Sequence, residues 1–225
     1  MDITEKLFWI GHASFYVKHN GKNIFIDPFN VSDKIGEKAD LVIITHAHGD
    51  HYSVKDINKV MKPNAELVFP NNCIDGDAFK NPRIIAPGES FDYNGVKISA
   101  VPAYNNKKEK INFHPKANKW VGYVIDVDGF SIYHAGDTDF IDEMKTMKDI
   151  GASLLPIGGT YVMNVDEGID AANAIKAQYS IPMHYKALLG REGSAAAEQK
   201  WKSKAINPYL MKEMQEPMFK FGGPG

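Results

Sequence analysis

Residues 45–51 read Thr-His-Ala-His-Gly-Asp-His, and this THAHGDH stretch holds three of the eight histidines of the chain. It directly follows an aliphatic run, Leu41–Ile44, in which three of the four residues are β-branched. Such a run is typical of a strand buried on both faces. The sequence therefore predicts a cluster of imidazole and carboxylate groups at the end of a buried strand.

The spacing within this stretch is suited to metal ligands. In an extended segment His46 and His48 project to the same side, so that one ion can take both. Gly49 lets the backbone turn, after which Asp50 and His51 present an oxygen and a nitrogen. The second pair cannot easily reach the same ion, so the spacing favours two neighbouring cations. Imidazole and carboxylate groups without a thiolate favour zinc, manganese or iron over a structural cysteine site.

Two coordination shells need more ligands than these neighbouring residues supply. Asp137 in the stretch HAGDTD follows a predicted strand, Phe130–Ala135. His184 in the stretch IPMHY ends a further apolar segment, Ile181–Met183. Because each is a strand-end group followed by a loop, we expect both side chains to join the site.

Short apolar stretches between turn signals predict strands along most of the chain. The predicted strands are Leu7–Ile10, Ala13–Val17, Ile24–Ile26, Leu41–Thr45, Val96–Val101, Val121–Val127 and Phe130–Ala135. The predicted helices are Val54–Met61, Ile141–Ile150, Asp166–Gln178 and roughly Ala195–Ser203. Early strands form hairpins and later ones alternate with helices, which predicts an α/β (α+β) fold with mixed sheets and outer helices.

The composition is that of an ordinary globular protein, with 225 residues, 44% hydrophobic, 24% charged and a net charge of −2. The length suits one domain over 1–225, with a loose tail at about 217–225. The charge balance predicts neither nucleic acid nor a membrane as a partner. Because Cys73 is the single cysteine and the first residues lack a signal-peptide pattern, we expect a cytoplasmic protein acting on a small molecule.

Five motifs make the chain resemble the metallo-β-lactamase superfamily over nearly its whole length. They are IDP ending at Pro28, THAHGDH at 45–51, YHAGDTD at 133–139, LLPIGGT at 154–160 and IPMHY at 181–185. The last three are similar to small metal-dependent hydrolases near the ascorbate-6-phosphate lactonases and, more distantly, to the N-acyl-phosphatidylethanolamine phospholipases D. The resemblance implies a four-layer αββα sandwich of two mixed sheets flanked by helices, with metal ions at one edge.

The resemblance also implies roles for the site residues and two divalent metal ions, zinc first, with manganese or iron as alternatives. The first ion would take His46 and His48, the second Asp50, His51 and His184, and Asp137 would bridge both. Asp27, after the predicted strand Ile24–Ile26, would support the ligands through hydrogen bonds. Hydroxide shared by the two ions would hydrolyse an ester, lactone or phosphoester, with Asp50 and Asp137 as the catalytic carboxylates.

The chain departs from the pattern of the superfamily at one ligand. Relatives with a PAFH-like stretch place a third histidine for the first metal where this chain has PAYN, which puts Asn105 there. Nine residues later comes FHP, and a loop that folds back would let His114 take the vacant position. We favour His114 as the ligand. The alternatives are a weak bond from Asn105 or loss of the first ion.

Two further residues and a basic loop are candidates for the border of the pocket. His12 follows a short predicted strand, where a buried, hydrogen-bonded histidine is the equal alternative, and Tyr161 follows a glycine pair. The segment Asn105–Lys119 carries five lysines against one glutamate. Such runs are usually solvated surface, but beside the metals these lysines would attract phosphate or carboxylate, so an anionic substrate is one expectation.

Three rival functions use the same fold. Nucleases of the superfamily usually carry an inserted nucleic-acid-binding region, yet only 46 residues separate Asp137 from His184. Redox members typically replace the second histidine by glutamate, and this chain has His48. A binding or sensor protein without turnover stays open because of Asn105.

We expect His48→Ala to remove bound metal and activity with little loss of fold, because this side chain lies at a strand end. Metal content, hydrolysis and circular dichroism of the purified variant measure the three quantities. A variant that stays fully active would contradict the predicted metal site.

Overall fold

The computed structural model describes residues 3–73 and 78–219. The first sheet contains β1 (Leu7–Gly11), β2 (Ser14–His19), β3 (Lys22–Ile26), β4 (Ala39–Ile43), β5 (Met61–Pro70) and β6 (Arg83–Ile85). The second contains β7 (Ser90–Tyr93), β8 (Val96–Pro102), β9 (Val121–Val127), β10 (Phe130–His134), β11 (Ile150–Pro156) and β12 (Tyr179–Met183). The helices are α1 (Val54–Val60), α2 (Val165–Ile175) and α3 (Lys186–Lys204). None of these described helices has the length and apolar character needed to cross a bilayer.

Both sheets are mixed, and each keeps its strands in chain order. In the first sheet β1, β2 and β3 are antiparallel, and β3 to β6 are parallel. In the second, β7 to β10 are antiparallel, and β10 to β12 are parallel. The carboxyl ends of parallel strands meet at the same edge of a sheet, which is where α/β proteins place their ligand sites. The loops after β3, β4, β10, β11 and β12 are therefore free to build one site.

Strand residues alternate between two apolar cores, as a two-residue period requires. Ile24 and Ile26 of β3 belong to the larger core, which draws on both sheets. Phe25 between them belongs to a smaller core with Ile57 of α1. Helices α2 and α3 add apolar residues to the larger core. One of them is Trp201, whose indole nitrogen donates to Ser180 O of β12 at 3.0 Å. The predicted four-layer αββα sandwich is confirmed.

Hydrogen bonds join the two sheets at the edge where the parallel strands end. Tyr123 Oη donates to Ile44 O at 2.8 Å, and Val121 N donates to Thr45 O at 3.1 Å, so β9 is attached to the end of β4. His184 N, directly after β12, donates to the carbonyl of His12 at 3.1 Å. The carboxyl ends of strands from both sheets are thus held side by side.

The sequence prediction was wrong for one helix. Residues 141–150 form a short 3-10 helix, Asp142–Thr146, after which β11 begins at Ile150. The apolar residues that suggested an α-helix recur every three positions, which is the period of a 3-10 helix. Of the predicted loose tail, residues 217–219 have no regular secondary structure, and 220–225 lie outside the described residues.

The segment before that tail crosses the outer strands of both sheets. Pro208 pairs with Ser180 of β12, and Glu213 pairs with Trp9 of β1, each through an isolated parallel bridge. Because an exposed strand edge offers unpaired backbone groups to other chains, this segment protects β1 and β12.

Gly136 carries the chain from β10 into Asp137 with a φ of +64°. A Cβ atom at this position would lie 2.8 Å from Val121 O and 3.2 Å from Thr45 Cβ. The left-handed conformation and the close contact between the sheets both require glycine here.

We expect Gly136→Ala to lower the free energy of unfolding by about 2–4 kcal/mol, because it combines left-handed strain with a steric clash. Gly129→Ala is the matched control, since Gly129 has a φ of +79° but open space around the new Cβ. Its expected loss is about 1–2 kcal/mol, from the backbone alone. Urea unfolding measures both values, and equal losses would show that the contact at Gly136 does not constrain the fold.

Candidate metal centre

All six side chains that the sequence predicts as ligands from strand ends meet at the edge shared by the two sheets. They follow β4, β10 and β12: His46, His48, Asp50, His51, Asp137 and His184. Most of these side chains are buried, and Asp50 keeps 27% of its side chain exposed. The site therefore lies at the bottom of a depression that solvent reaches past Asp50.

One group of ligand atoms consists of three histidine nitrogens. His46, His48 and His114 each offer a ring nitrogen, and these atoms lie within 4.8 Å of one another. His46 Nε2 and His48 Nδ1 are only 3.1 Å apart. The indole of Trp120 packs against all three rings, with centroid distances of 4.9, 4.9 and 5.6 Å. Packing against a single rigid ring holds the imidazoles in place.

A second group combines three histidines with a carboxylate. His12, Asp50, His51 and His184 offer ligand atoms within 4.8 Å of one another. Burial, together with nearby His184, lowers the pKa of His12 to about 4, so its imidazole is neutral at pH 7. His12 Nε2 lies 3.0 Å from Asp50 Oδ2, where a neutral ring can donate its proton. His12 therefore serves to orient Asp50.

The carboxylate of Asp137 lies between the two groups. Its Oδ2 is 3.4 Å from His114 Nε2 and 3.2 Å from His184 Nε2. Its Oδ1 is 3.3 Å from His51 Nε2. A single side chain thus contacts histidines of both groups.

The carboxylate of Asp27 determines which nitrogen of its neighbours faces the site. Asp27 is fully buried and accepts hydrogen bonds from Thr45 N at 2.7 Å, from Thr45 Oγ1 at 2.6 Å and from His51 Nδ1 at 2.7 Å. Thr45 Oγ1 has then donated its proton, so it accepts from His46 Nδ1 at 2.9 Å. In both rings these bonds fix a proton on Nδ1, so Nε2 is the nitrogen that faces the site. Although burial lowers it, the carboxylates of Asp137, Asp50 and Asp27 raise the pKa of His51 well above its ordinary value, so Nε2 of His51 would give up its proton to bind a metal. Since its oxygens are already engaged, Asp27 acts as a support.

Asn105 holds His114 in the same way. The Asn105 carbonyl oxygen accepts from His114 N at 3.1 Å and from His114 Nδ1 at 2.8 Å. The Asn105 amide nitrogen donates to the carbonyl of Tyr161 at 3.1 Å. Through these hydrogen bonds Asn105 orients His114, whose Nε2 faces the site. Of the three arrangements considered from the sequence, the geometry matches His114 in the vacant position.

Several buried polar atoms at the centre form no hydrogen bond within the described part of the chain. They are His51 Nε2, His114 Nε2, His184 Nε2 and Asp137 Oδ1. A buried polar atom without a partner costs about 1–3 kcal/mol. Because all four are nitrogen or oxygen atoms of the type that divalent metals bind, the residues present fit a metal centre.

Residues 6–184 match the family described as the β-lactamase superfamily domain. The chain belongs to the metallo-β-lactamase superfamily. A UPF0173 metal-dependent hydrolase of Thermoplasma volcanium is 35% identical over 195 residues, covering 82% of this chain and 84% of that protein. The predicted superfamily is thereby confirmed, and the chain is a metal-dependent hydrolase by family. The nearer likeness to ascorbate-6-phosphate lactonases stays a prediction.

Solved structures show the same metallo-β-lactamase fold. A candidate metal-dependent hydrolase from Parabacteroides distasonis superposes with a TM-score of 0.80 at 29% identity, covering 92% of this chain and 93% of that chain. Igni18, a metallo hydrolase from Ignicoccus hospitalis, gives a TM-score of 0.73 at 26% identity, covering 94% and 96%. The likeness extends over the full fold in both cases.

The two carboxylates of the site, Asp50 and Asp137, carry negative charge that suits the binding of cations. Burial would raise the pKa of Asp50, yet His51, the hydrogen bond with His12 and the nearby His184 hold it far below its usual range. The pKa of Asp137 is also well below its usual range, because His184 and His51 outweigh burial. Both carboxylates are therefore ionised at neutral pH. No lysine or arginine among residues 3–73 and 78–219 forms an ion pair with either of them.

Two histidines of the first group, His46 and His48, are neutral at pH 7. Burial lowers the pKa of His46 well below its ordinary value, helped by the nearby ring of His51. Burial and the nearby His114 lower the pKa of His48 as well. A neutral imidazole is the form that binds a metal, so these side chains need not lose a proton before binding.

Three lysines of the basic loop form contacts with residues other than the candidate ligands. Lys107 and Lys110 form ion pairs with Glu167 of α2, and Lys110 Nζ also donates to Val162 O at 2.7 Å. Lys116 contacts Tyr104 and Glu143. These lysines fasten the loop that carries His114.

Sequence reasoning missed two residues of the centre. The Thr45 hydroxyl donates to Asp27 and accepts from His46. The indole of Trp120 packs against three candidate ligand rings. Thr45 directly precedes the first histidine, which could have indicated its role. Trp120 lies outside every motif, so only the fold reveals it.

We expect Asn105→Ala to weaken metal binding by about 10–100-fold, because His114 loses the acceptor that fixes its ring. Asn105→Asp keeps both acceptors and should lose less. Asn106→Ala is the matched control, because its amide contacts Phe140 O and not the centre. Competition with a metal chelator measures the affinities, and equal affinities for Asn105→Ala and Asn106→Ala would refute this role.

Proposed function

We propose that this protein is a dinuclear metal-dependent hydrolase of small esters, lactones or phosphoesters. The observation that supports this proposal best is the position of the Asp137 carboxylate between the two groups of histidines. Its Oδ2 lies within 3.4 Å of a histidine nitrogen from each of the two groups, His114 and His184. A carboxylate in this position suits a bridge between two cations, and a dinuclear centre of this type is used to activate water.

The two groups divide the ligands as the superfamily resemblance implies. We assign His46, His48 and His114 to the first site, and from the group of His12, Asp50, His51 and His184 we assign the last three to the second, with His12 as the support of Asp50. Zinc is the metal we propose first, because histidine and carboxylate ligands without cysteine are typical of catalytic zinc sites. Manganese and iron are compatible with the same ligands.

Two bound divalent cations would lower the pKa of a water molecule and polarise the carbonyl or phosphoryl oxygen of a substrate. The residues of the chain orient the reaction around them. His12 holds Asp50 Oδ2, which leaves Asp50 Oδ1 to accept a hydrogen bond from the attacking water. After attack, Asp50 is placed to return a proton to the leaving group.

The cavity above the centre suits a small molecule. Its volume is about 260 Å³, and its floor is formed by His48, Asp50, His114, Asp137 and His184. Pockets for drug-sized ligands usually have volumes of about 300–1,000 Å³. A nucleic acid strand would need a longer groove with basic side chains, so this geometry favours a small substrate over nuclease activity.

We expect removal of metal by a chelator to abolish hydrolysis, and two equivalents of zinc per chain to restore it. Metal analysis and hydrolysis of p-nitrophenyl acetate, γ-butyrolactone and bis-p-nitrophenyl phosphate measure this. Asp50→Asn should lower the rate by about 10²–10⁴-fold, since it removes a base from the reacting water.

Asp142→Asn is the control for this variant, because Asp142 is exposed and pairs only with Lys145 in the described structure. Full activity with one ion per chain would refute the dinuclear mechanism. Tight metal binding without turnover of any of the three substrates would favour a sensor.

A further inference from the structure

Two exposed aromatic rings stand over the proposed catalytic centre. Phe113 and Tyr161 are 38% and 40% exposed, which is unusual for large apolar side chains in this otherwise well-buried structure. Their rings meet edge to face, with centroids 4.8 Å apart and an interplanar angle of 90°. Both line the cavity above the metal ligands. An exposed aromatic pair beside a polar floor is the pattern of a binding pocket.

The backbone of this aromatic wall is fixed by the same contacts that fix His114. Asn105 donates to the carbonyl of Tyr161 while it accepts two hydrogen bonds from His114, the residue after Phe113. Lys110 donates to the carbonyl of Val162, the residue after Tyr161. Both rings therefore stand on backbone that is already ordered, and a ligand would not have to order it.

The charges around the cavity argue against an anionic group at this wall. None of the lysines of the loop is among the described residues that line the cavity. Lys107 and Lys110 are instead engaged with Glu167. The only Asp, Glu, Lys or Arg residues among the described lining are Asp50 and Asp137, which the proposed function assigns to the metal ions, so no basic side chain is present to bind a negative substituent at the wall.

We propose that Phe113 and Tyr161 form an apolar subsite that binds an uncharged aryl or alkyl group next to the bond that is hydrolysed. This inference rests on the proposed function and narrows its substrate class to neutral esters or lactones with an apolar substituent. The loop lysines gave the reason to expect an anionic substrate, but none of them is among the described residues that line the cavity, and Lys107 and Lys110 pair with Glu167.

The test uses three hydroxamates that bind zinc through the same group and differ only beyond it. Acetohydroxamate has a methyl group, benzohydroxamate has a neutral ring, and 4-carboxybenzohydroxamate has a charged ring. Calorimetry on the zinc-loaded protein measures their dissociation constants. We expect benzohydroxamate to bind about tenfold more tightly than acetohydroxamate, from contact with the aromatic pair. The charged ring should bind more weakly than the neutral one.

Phe113→Ala and Tyr161→Ala should each reduce the preference for benzohydroxamate over acetohydroxamate. Ile111→Ala is the matched control, because Ile111 is an exposed apolar residue of the same loop, at 46%, and does not line the cavity. It should keep the preference of the wild type. Zinc content is measured for every variant, and if Phe113→Ala loses zinc through displacement of His114, Tyr161→Ala decides the question.

Equal binding of the methyl and phenyl compounds by the wild type would overturn the subsite. So would an equal loss of preference in Ile111→Ala, or tighter binding of the charged ring. These results are separate from a failure of the proposed function, which would appear as absence of zinc binding or of hydrolysis in the wild type. Turnover with zinc but without aromatic preference would reject the subsite alone.

Discussion

The centre of this protein depends on the hydrogen bonds that the buried carboxylate of Asp27 accepts from Thr45 and His51. A carboxylate without contact with water is costly unless donors surround it, and here three donors do. The same bonds fix the proton of His51 on Nδ1 and, through the Thr45 hydroxyl, that of His46. Two candidate ligand nitrogens, Nε2 of His46 and Nε2 of His51, are therefore oriented toward the site before any metal binds. The same hydrogen bonds stabilise the buried carboxylate and orient these rings.

The two sheets contribute different parts of the centre. The THAHGDH turn comes from the first sheet, whereas Asp137 and His184 come from the second. Neither sheet alone holds a full set of ligands, and the hydrogen bonds between β9 and the end of β4 bring the two halves together. The negative charge that gathers there is balanced within the described chain only by histidines, which explains why the arrangement suits divalent cations.

Under the proposed function and the proposed subsite, the loop between β8 and β9 connects metal binding with substrate choice. It carries His114 to the first group and Phe113 to the mouth of the cavity, and Asn105 fixes the backbone on both sides. Two of its lysines, Lys107 and Lys110, contact Glu167 and the carbonyl of Val162, so their positive charge stabilises the loop. A change in this loop would therefore alter the ligand geometry and the pocket together.

The sequence by itself determined the positions of the candidate ligands in the THAHGDH turn, the strand ends that carry Asp137 and His184, and an α/β class with outer helices, because these depend on local spacing and on apolar periodicity. It left open whether His114 or Asn105 stands at the candidate first site, and whether the lysine loop is solvated surface or lies beside the cavity. It also did not reveal Trp120. Those points depend on how a long loop folds back and which partners its side chains meet across the chain. Such contacts join residues far apart in sequence, so only the tertiary structure decided them.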